Sequence, residues 1–305
     1  EGTDSLRVQG EDGVKVDMTE SSIERAYGAD GDDTFDASGS TENVYEYGYG
    51  GDDNLTGGDG NDYLNGGDGN DQLSGGDGAD RLVGGDGADS LSGGAGNDTL
   101  YVDSKDTKID GGEGTDSLRV QGEDGVKVDM TESSIERAYG GDGDDTFDAS
   151  GSTENVYEYG YGGDDNLTGG DGNDYLNGGD GNDQLSGGDG ADRLVGGDGA
   201  DSLSGGAGND TLYGGDGSDQ LEFMANMGND VADGGAGGGW IDTINLNGFE
   251  GGDVEQGWTL ELDDGSTVVS SEVDGELFLS EDASGTINFD EGGSFDFDNM
   301  EKIVW

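Results

Sequence analysis

Aspartate recurs every ninth residue through two long stretches of this 305-residue chain. From Gly57 to Tyr101, "GGDGNDYLNGGDGNDQLSGGDGADRLVGGDGADSLSGGAGNDTLY" sets five nonapeptides end to end. The sixth slot of each is an aspartate (Asp62, Asp71, Asp80, Asp89, Asp98), and a leucine follows two places on. A degenerate copy before them, Gly48–Thr56, adds Asp53. A second unbroken run, Gly160–Glu222, carries Asp165, Asp174, Asp183, Asp192, Asp201, Asp210 and Asp219 in the same slot. Isolated copies hold Asp33, Asp116 and Asp145, and "MANMGNDVA" holds Asp230. Carboxylates in such numbers, beside glycine turns that expose carbonyl oxygens, point to hard cations with oxygen ligands. Calcium fits best, because it takes six to eight oxygens in irregular geometry, whereas magnesium demands a tight octahedron.

The rest of the composition narrows the chemistry. The chain has no His and no Cys, which removes the usual zinc sites, the Ser-His-Asp and Cys-His catalytic sets, and any disulfide framework. It has 73 acidic residues against 11 basic, a formal charge of -62. Such a polyanion repels a phosphate backbone, so nucleic acid is not an expected partner. No apolar stretch is long enough to span a membrane. Composition alone would suggest disorder, but a disordered tail does not keep a strict nine-residue phase.

The elements that must hold the aspartates follow from one copy, Gly57–Asn65. Its glycines allow a tight turn with positive φ. Its last three residues, Tyr63-Leu64-Asn65, form a short strand with Leu64 pointing inward and its neighbours outward. Two copies, 18 residues, close one coil. Stacked coils give two parallel sheets whose leucine rows meet in a thin core, a solenoid stable only through its neighbours. One leucine in nine residues does not offset the entropy of ordering all nine. Asp62 and Asp80, one coil apart, would sit about 4.8 Å from each other and repel. Cations between turns reverse that repulsion. One Ca²⁺ in each of about eighteen slots would bring about +36 against the formal -62.

These nonapeptides resemble the G-G-x-G-x-D-x-U-x calcium-binding repeat of the RTX family. The segments "GVKVDMTESSIERAYG" and "GDGDDTFDASGSTENVYEYGYGGDDNL" are similar to the divergent linkers between RTX blocks. The resemblance implies an all-β, Ca²⁺-loaded parallel β-roll with the sixth-slot aspartates as ligands. Turn carbonyls would complete the shell, such as those of Gly57, Asp59, Gly66, Asp68, Gly75 and Asp77. Their counterparts in the second run are Gly169, Asp171, Gly178, Asp180, Gly187 and Asp189. It further implies type I secretion in the unfolded state, with folding triggered outside the cell by calcium.

A longer period overlies the short one. Residues 1–101 repeat as 113–213 with one difference, Ala29 against Gly141. We therefore read module 1 as 1–112, module 2 as 113–222, a degrading repeat end at 223–239 and a C-terminal β-rich cap at 240–305. The chain opens at the third slot of a repeat, so we expect it to be part of something longer. The cap should cover the last coil and have its own core of Trp240, Phe249, Trp258, Phe278, Phe289 and Trp305; it also resembles a type I secretion signal. Weaker or absent ions are expected at the degenerate turns: Gly48–Thr56, the turn before Asp230, the insertion before Asp242, and Asp4.

Other features are read more plainly. Ile23 and Ile135 in "SSIERAY" are expected to plug the roll from irregular strands, with a short helix as the alternative. Tyr45, Tyr47 and Tyr49 should form a strand with one ring face packed at the module junction; sugar or a second chain is the other reading. No D-x-D-x run keeps the EF-hand loop. The sequons at Asn54 and Asn97 lie inside repeats and occur by chance. No outward threonine row supports ice binding. The function expected is a calcium-dependent structural rod of a secreted or cell-surface adhesin, surface-layer or matrix protein. The alternative is the secretion and folding tail of an exoenzyme or toxin. Either places the chain outside the cell, without enzyme activity, and leaves its own copies or surface glycans open as partners besides calcium.

Overall fold

The structure is a computed structural model describing residues 4–223, 228–235, 242–246, 258–262, 267–269, 276–289 and 294–304. The chain divides into two compact units, Glu1–Gly141 and Asp142–Trp305.

In the first unit successive strands alternate between two parallel sheets. One sheet is built from Ser5–Arg7, Arg25–Tyr27, Tyr45–Gly50, Tyr63–Asp68, Arg81–Asp86, Thr99–Val102, Ser117–Val120 and Arg137–Tyr139. The other holds Lys15–Asp17, Thr34–Asp36, Asn54–Gly58, Gln72–Asp77, Ser90–Ala95 and Lys108–Glu113. Leu64 pairs with Leu82 and Leu55 with Leu73, a step of 18 residues, as the nonapeptide doubled requires. In the divergent coils the step is 20, from Ala26 to Glu46 and from Phe35 to Leu55. Both leucine rows are buried, so the two sheets share a single-layer core.

The turns explain the glycines. Gly78 has φ +140°, a region that side chains rarely enter, and a β-carbon there would strike the carbonyl oxygen of Gly60 one coil earlier. Coils therefore approach backbone to backbone.

The second unit repeats this roll. Tyr157–Gly162, Tyr175–Asp180, Arg193–Asp198, Thr211–Asp216 and Asn229–Asp233 line one side. Thr146–Asp148, Asn166–Gly170, Gln184–Asp189, Ser202–Ala207, Gln220–Glu222 and Thr243–Asn245 line the other. The strand Ser294–Val304 then pairs in parallel with both Asn229–Asp233 and Thr243–Asn245, bridging the two sides as a last coil. Glu276–Phe289 and Trp258–Leu262 add to it antiparallel. This cap covers the sheet edges, which would otherwise be open to pairing.

Three local expectations are corrected. In the first unit the helical turn is Met18–Ser21, ahead of "SIERAY", with Asp17 accepting the N–H of Glu20 as its cap; there Met18 is the fully buried plug and Ile23 is only half-buried, whereas Ile135 is buried as expected. The tyrosines do not pack one face on a junction. Tyr47 stacks between Tyr27 and Tyr63 of neighbouring coils, at 5.2 and 5.4 Å between ring centres. In the cap Phe278 is 64% exposed; the buried apolar residues among those described are Ile244, Leu246, Leu260, Ala283, Ile287, Phe295, Phe297, Met300 and Ile303. Trp240, Phe249 and Trp305, and the side chains of Trp258 and Phe289, lie outside the described part.

Candidate metal centre

In the regular copies each sixth-slot aspartate sits at the end of a glycine turn, just before the strand that carries its leucine. That position buries the carboxylate, and one oxygen finds a fixed role. Asp62 N–H donates to Asp80 Oδ1, Asp80 N–H to Asp98 Oδ1, and Asp98 N–H to Asp116 Oδ1, each at 2.7 Å. Along the other edge Asp33 donates to Asp53 at 2.7 Å, and Asp53 to Asp71 and Asp71 to Asp89 at 2.8 Å. In the second unit Asp145 leads to Asp165, Asp183, Asp201 and Asp219 in the same way. Asp174 leads to Asp192, Asp210 and Asp230. The coils are thus tied by a ladder of charge-assisted bonds.

The second oxygen has nothing. Oδ2 of Asp53, Asp71, Asp80, Asp89, Asp98 and Asp116, and of Asp165, Asp183, Asp192, Asp201 and Asp219, is buried without a hydrogen-bond partner. Leaving one such atom unsatisfied costs about 1–3 kcal/mol. The backbone converges on the same oxygens. A β-carbon on Gly75 would strike both Asp80 Oδ2 and the carbonyl oxygen of Gly93. One on Gly48 would strike Asp53 Oδ2 and Gly66 O, and one on Gly160, Asp165 Oδ2 and Gly178 O. Only glycine leaves that oxygen-lined cradle open. Among the described residues no three acidic side chains converge on one point, so carbonyls must supply most of any shell. Unpartnered carboxylate oxygens beside carbonyls fit a hard divalent cation such as Ca²⁺.

The carbonyls sort differently from expectation. Gly66, Gly75, Gly178 and Gly187 stand beside a carboxylate Oδ2 of the preceding coil, whereas Gly57 and Gly169 are not placed this way. The third-slot carbonyls of Asp68 and Asp180 already accept the N–H of Gly51 and Gly163, both at 2.9 Å.

Among the described sixth-slot aspartates, Asp33, Asp62 and Asp174 have both oxygens satisfied by amides, as has Asp106 with the N–H groups of Asp89 and Asp103. Asp62 Oδ1 accepts Val44 N–H at 2.8 Å and its Oδ2 accepts Gly58 N–H at 2.7 Å. Asp174 does the same with Val156 and Gly170, and Asp33 with Val14 and Ala29. The reason is local. Gly67 and Gly76 have φ +115° and +117°, but Gly58 has no positive φ, because it packs on the carbonyls of Ala37 and Ser40 in a loop that is not a glycine turn. The weak turn expected at Asp53 has the open oxygen, and the regular copy at Asp62 does not. Asp80→Asn should therefore remove one bound calcium per chain, while Asp62→Asn should leave the number unchanged. Isothermal titration with Ca²⁺ reads both.

Burial dominates the electrostatics. It pushes the carboxyls of Asp53, Asp80, Asp192 and Asp201 up to about 7 and that of Asp165 to about 8. Asp71, Asp98, Asp183, Asp210 and Asp219 rise to about 6 for the same reason. The accepted backbone N–H pulls each back in part, and neighbouring carboxylates push up again, as Asp62 and Asp98 do on Asp80.

Some ladder members were not expected. Glu24 Oε2 accepts the N–H of Asp4, Glu136 Oε2 that of Asp116, and Glu301 Oε2 that of Asp242. Asp106 serves Asp89 at 3.0 Å, and Asp242 serves Asp219 at 3.0 Å. The signal was present: Glu24-Arg25-Ala26-Tyr27 and Glu301-Lys302-Ile303-Val304 keep the acid-x-apolar-x order of slots six to nine, with glutamate for aspartate.

A family model for the RTX calcium-binding nonapeptide repeat matches residues 47–82, 74–104, 133–156, 159–194 and 186–221. No curated protein matches the chain.

Proposed function

We propose, from the premise that this chain belongs to the family of RTX calcium-binding nonapeptide repeats, that it is a calcium-dependent structural spacer of a secreted or cell-surface protein. The repeats are a calcium-binding region of the kind that type I-secreted proteins carry. The finer reading is that the duplicated modules, 1–112 and 113–222, lengthen such a protein, as in an adhesin, surface-layer or matrix protein, and that 240–305 caps the end. The observation that carries it is the row of buried, unpartnered Asp Oδ2 atoms. At neutral pH these atoms oppose folding unless a cation takes them up.

Bound calcium would supply positive charge and coordination to those oxygens. The chain's own part is to hold them in place: Oδ1 is fixed by the amide of the previous coil, and the first-slot glycine keeps the cradle open. Binding energy then becomes folding energy. Extracellular modules bind calcium with Kd about 10⁻⁴–10⁻³ M, so folding would await the outside of the cell.

A stretching experiment on single molecules tests the spacer role. In millimolar Ca²⁺ the chain should resist extension and open in discrete steps; in chelator it should extend smoothly, as a disordered chain does. Identical traces in both would rule out a calcium-stiffened spacer.

A further inference from the structure

The arginines of this polyanion are sorted onto one face, while Lys15 and Lys108 lie on the other sheet. In the first unit the seventh and ninth slots of the sheet that begins with Ser5–Arg7 point outward. They carry Arg7, Arg25, Arg81, Arg119 and Arg137 together with tyrosines, and no carboxylate. The corresponding slots of the other sheet carry neither arginine nor tyrosine. In the second unit Arg193 and the tyrosines follow the same sorting.

Stacking sets what this face can offer. Tyr27, Tyr47, Tyr63, Arg81 and Tyr101 form a continuous pile across five coils, with centres 5.2, 5.4, 5.7 and 4.2 Å apart. Arg25 lies over Tyr45, Arg119 over Tyr139 and Arg193 over Tyr213. Within this pile the rings are covered by their neighbours, which disfavours a platform for sugar rings there, while Tyr45, Tyr49, Tyr157 and Tyr161 keep 37%, 48%, 39% and 52% exposure. Arg25, Arg81 and Arg193 are exposed. Despite 73 acidic residues in the chain, no carboxylate of the described residues pairs with Arg25, Arg81, Arg119 or Arg193. Each of these guanidinium forks matches a carboxylate.

We infer that this Arg/Tyr face is an interface for a second copy of the chain, docking a row of its third-slot aspartates. The copy has the required chemistry at the required pitch. Asp180, Asp198 and Asp216 are exposed, and they are paired strand to strand, one per coil. The aspartates come once per coil, and Arg25 and Arg81 stand three coils apart in one slot, with Tyr45 and Tyr63 between them; the spacing is a whole multiple of the coil rise of about 4.8 Å, so an aspartate row that meets one of these arginines also meets the other. In the strand Arg193–Asp198 the arginine opens the strand and the aspartate closes it beyond the glycine pair, so donor and acceptor are separate patches. The contact is therefore heterologous and leaves a free face and a free row at its ends. This goes beyond the spacer role: it makes neighbouring chains associate laterally once calcium has folded them.

Sedimentation velocity in saturating Ca²⁺ tests it, over a range of chain concentrations at low and at high salt. The unaltered chain should associate reversibly at low salt and dissociate at high salt, since exposed charge pairs are screened. A chain carrying Arg25→Gln, Arg81→Gln, Arg119→Gln and Arg193→Gln should stay monomeric while keeping its calcium-induced circular dichroism. The inference is overturned if the unaltered chain is monomeric throughout, if its association ignores salt, or if the folded variant associates equally well. Retention on an immobilised acidic polysaccharide by a chain that stays monomeric would also overturn it. Should the variant lose the calcium-induced signal, the salt response of the unaltered chain decides.

Discussion

A chain carrying Glu46→Leu and Glu158→Leu is expected to melt at a higher temperature in saturating Ca²⁺ than the unaltered chain. Both glutamates are fully buried, and none of their four carboxyl oxygens makes a well-formed hydrogen bond; the backbone of Thr56 and Thr168 relieves them only in part. Glu46 stands in register between Ala26 and Leu64, and Glu158 beside Leu176, in the row where the repeat places leucine. Burial drives both carboxyls well above the ordinary glutamate range. Asp62 and Asp36 add to this for Glu46, and Asp174 and Asp148 for Glu158. An unsatisfied buried polar group costs about 1–3 kcal/mol, and leucine adds apolar burial in its place, so each site should gain at least that much. Glutamine should give no such gain, because its amide is equally unpartnered. Thermal melts followed by circular dichroism read the order: leucine above wild type, glutamine at or below it. A melting temperature lowered by leucine would show that these carboxyls have partners.

The second large effect is on the metal-free chain. In excess chelator the roll should be absent at pH 8 and gain β structure as the pH falls towards 5. Asp53, Asp80, Asp192 and Asp201 have folded values near 7, and Asp165 near 8; the unfolded chain titrates near the ordinary aspartate value of about 3.9. Between those limits the folded state holds more protons than the unfolded one, so stability falls as pH rises. Protons then do part of a cation's work by neutralising the buried row. For the same reason calcium should bind more weakly at pH 5 than at pH 8. A metal-free chain equally ordered, or equally disordered, at both pH values would contradict the burial of these groups.

Much of this was legible because the sequence repeats. Leucine once per nine residues, with aspartate two places before it, dictates an 18-residue coil, and the Leu64–Leu82 register follows. Repetition also hides the exceptions. In "NVYEY" the polarity of the repeat is exchanged: Val44 takes the aspartate slot and Glu46 the leucine slot. Both are buried, which no count of apolar residues would suggest. Asp62 belongs to a copy with a perfect motif, yet its partner turn is the Ala37–Val44 loop, and a turn's conformation depends on the coil beneath it. Glu24, Glu136 and Glu301 escape a search for aspartate because glutamate takes the sixth slot there and its longer side chain meets the same amide. The sorting of arginine from carboxylate is visible only once alternate strands are assigned to separate sheets.

Circular dichroism across a calcium titration at pH 7.5, with magnesium as control, tests the central claim most directly. The expected result is a disordered spectrum in chelator, a cooperative gain of β structure in the millimolar range of Ca²⁺, and little change at the same concentration of Mg²⁺. A chain that is fully ordered in chelator at that pH, or that folds equally well in magnesium, would contradict it.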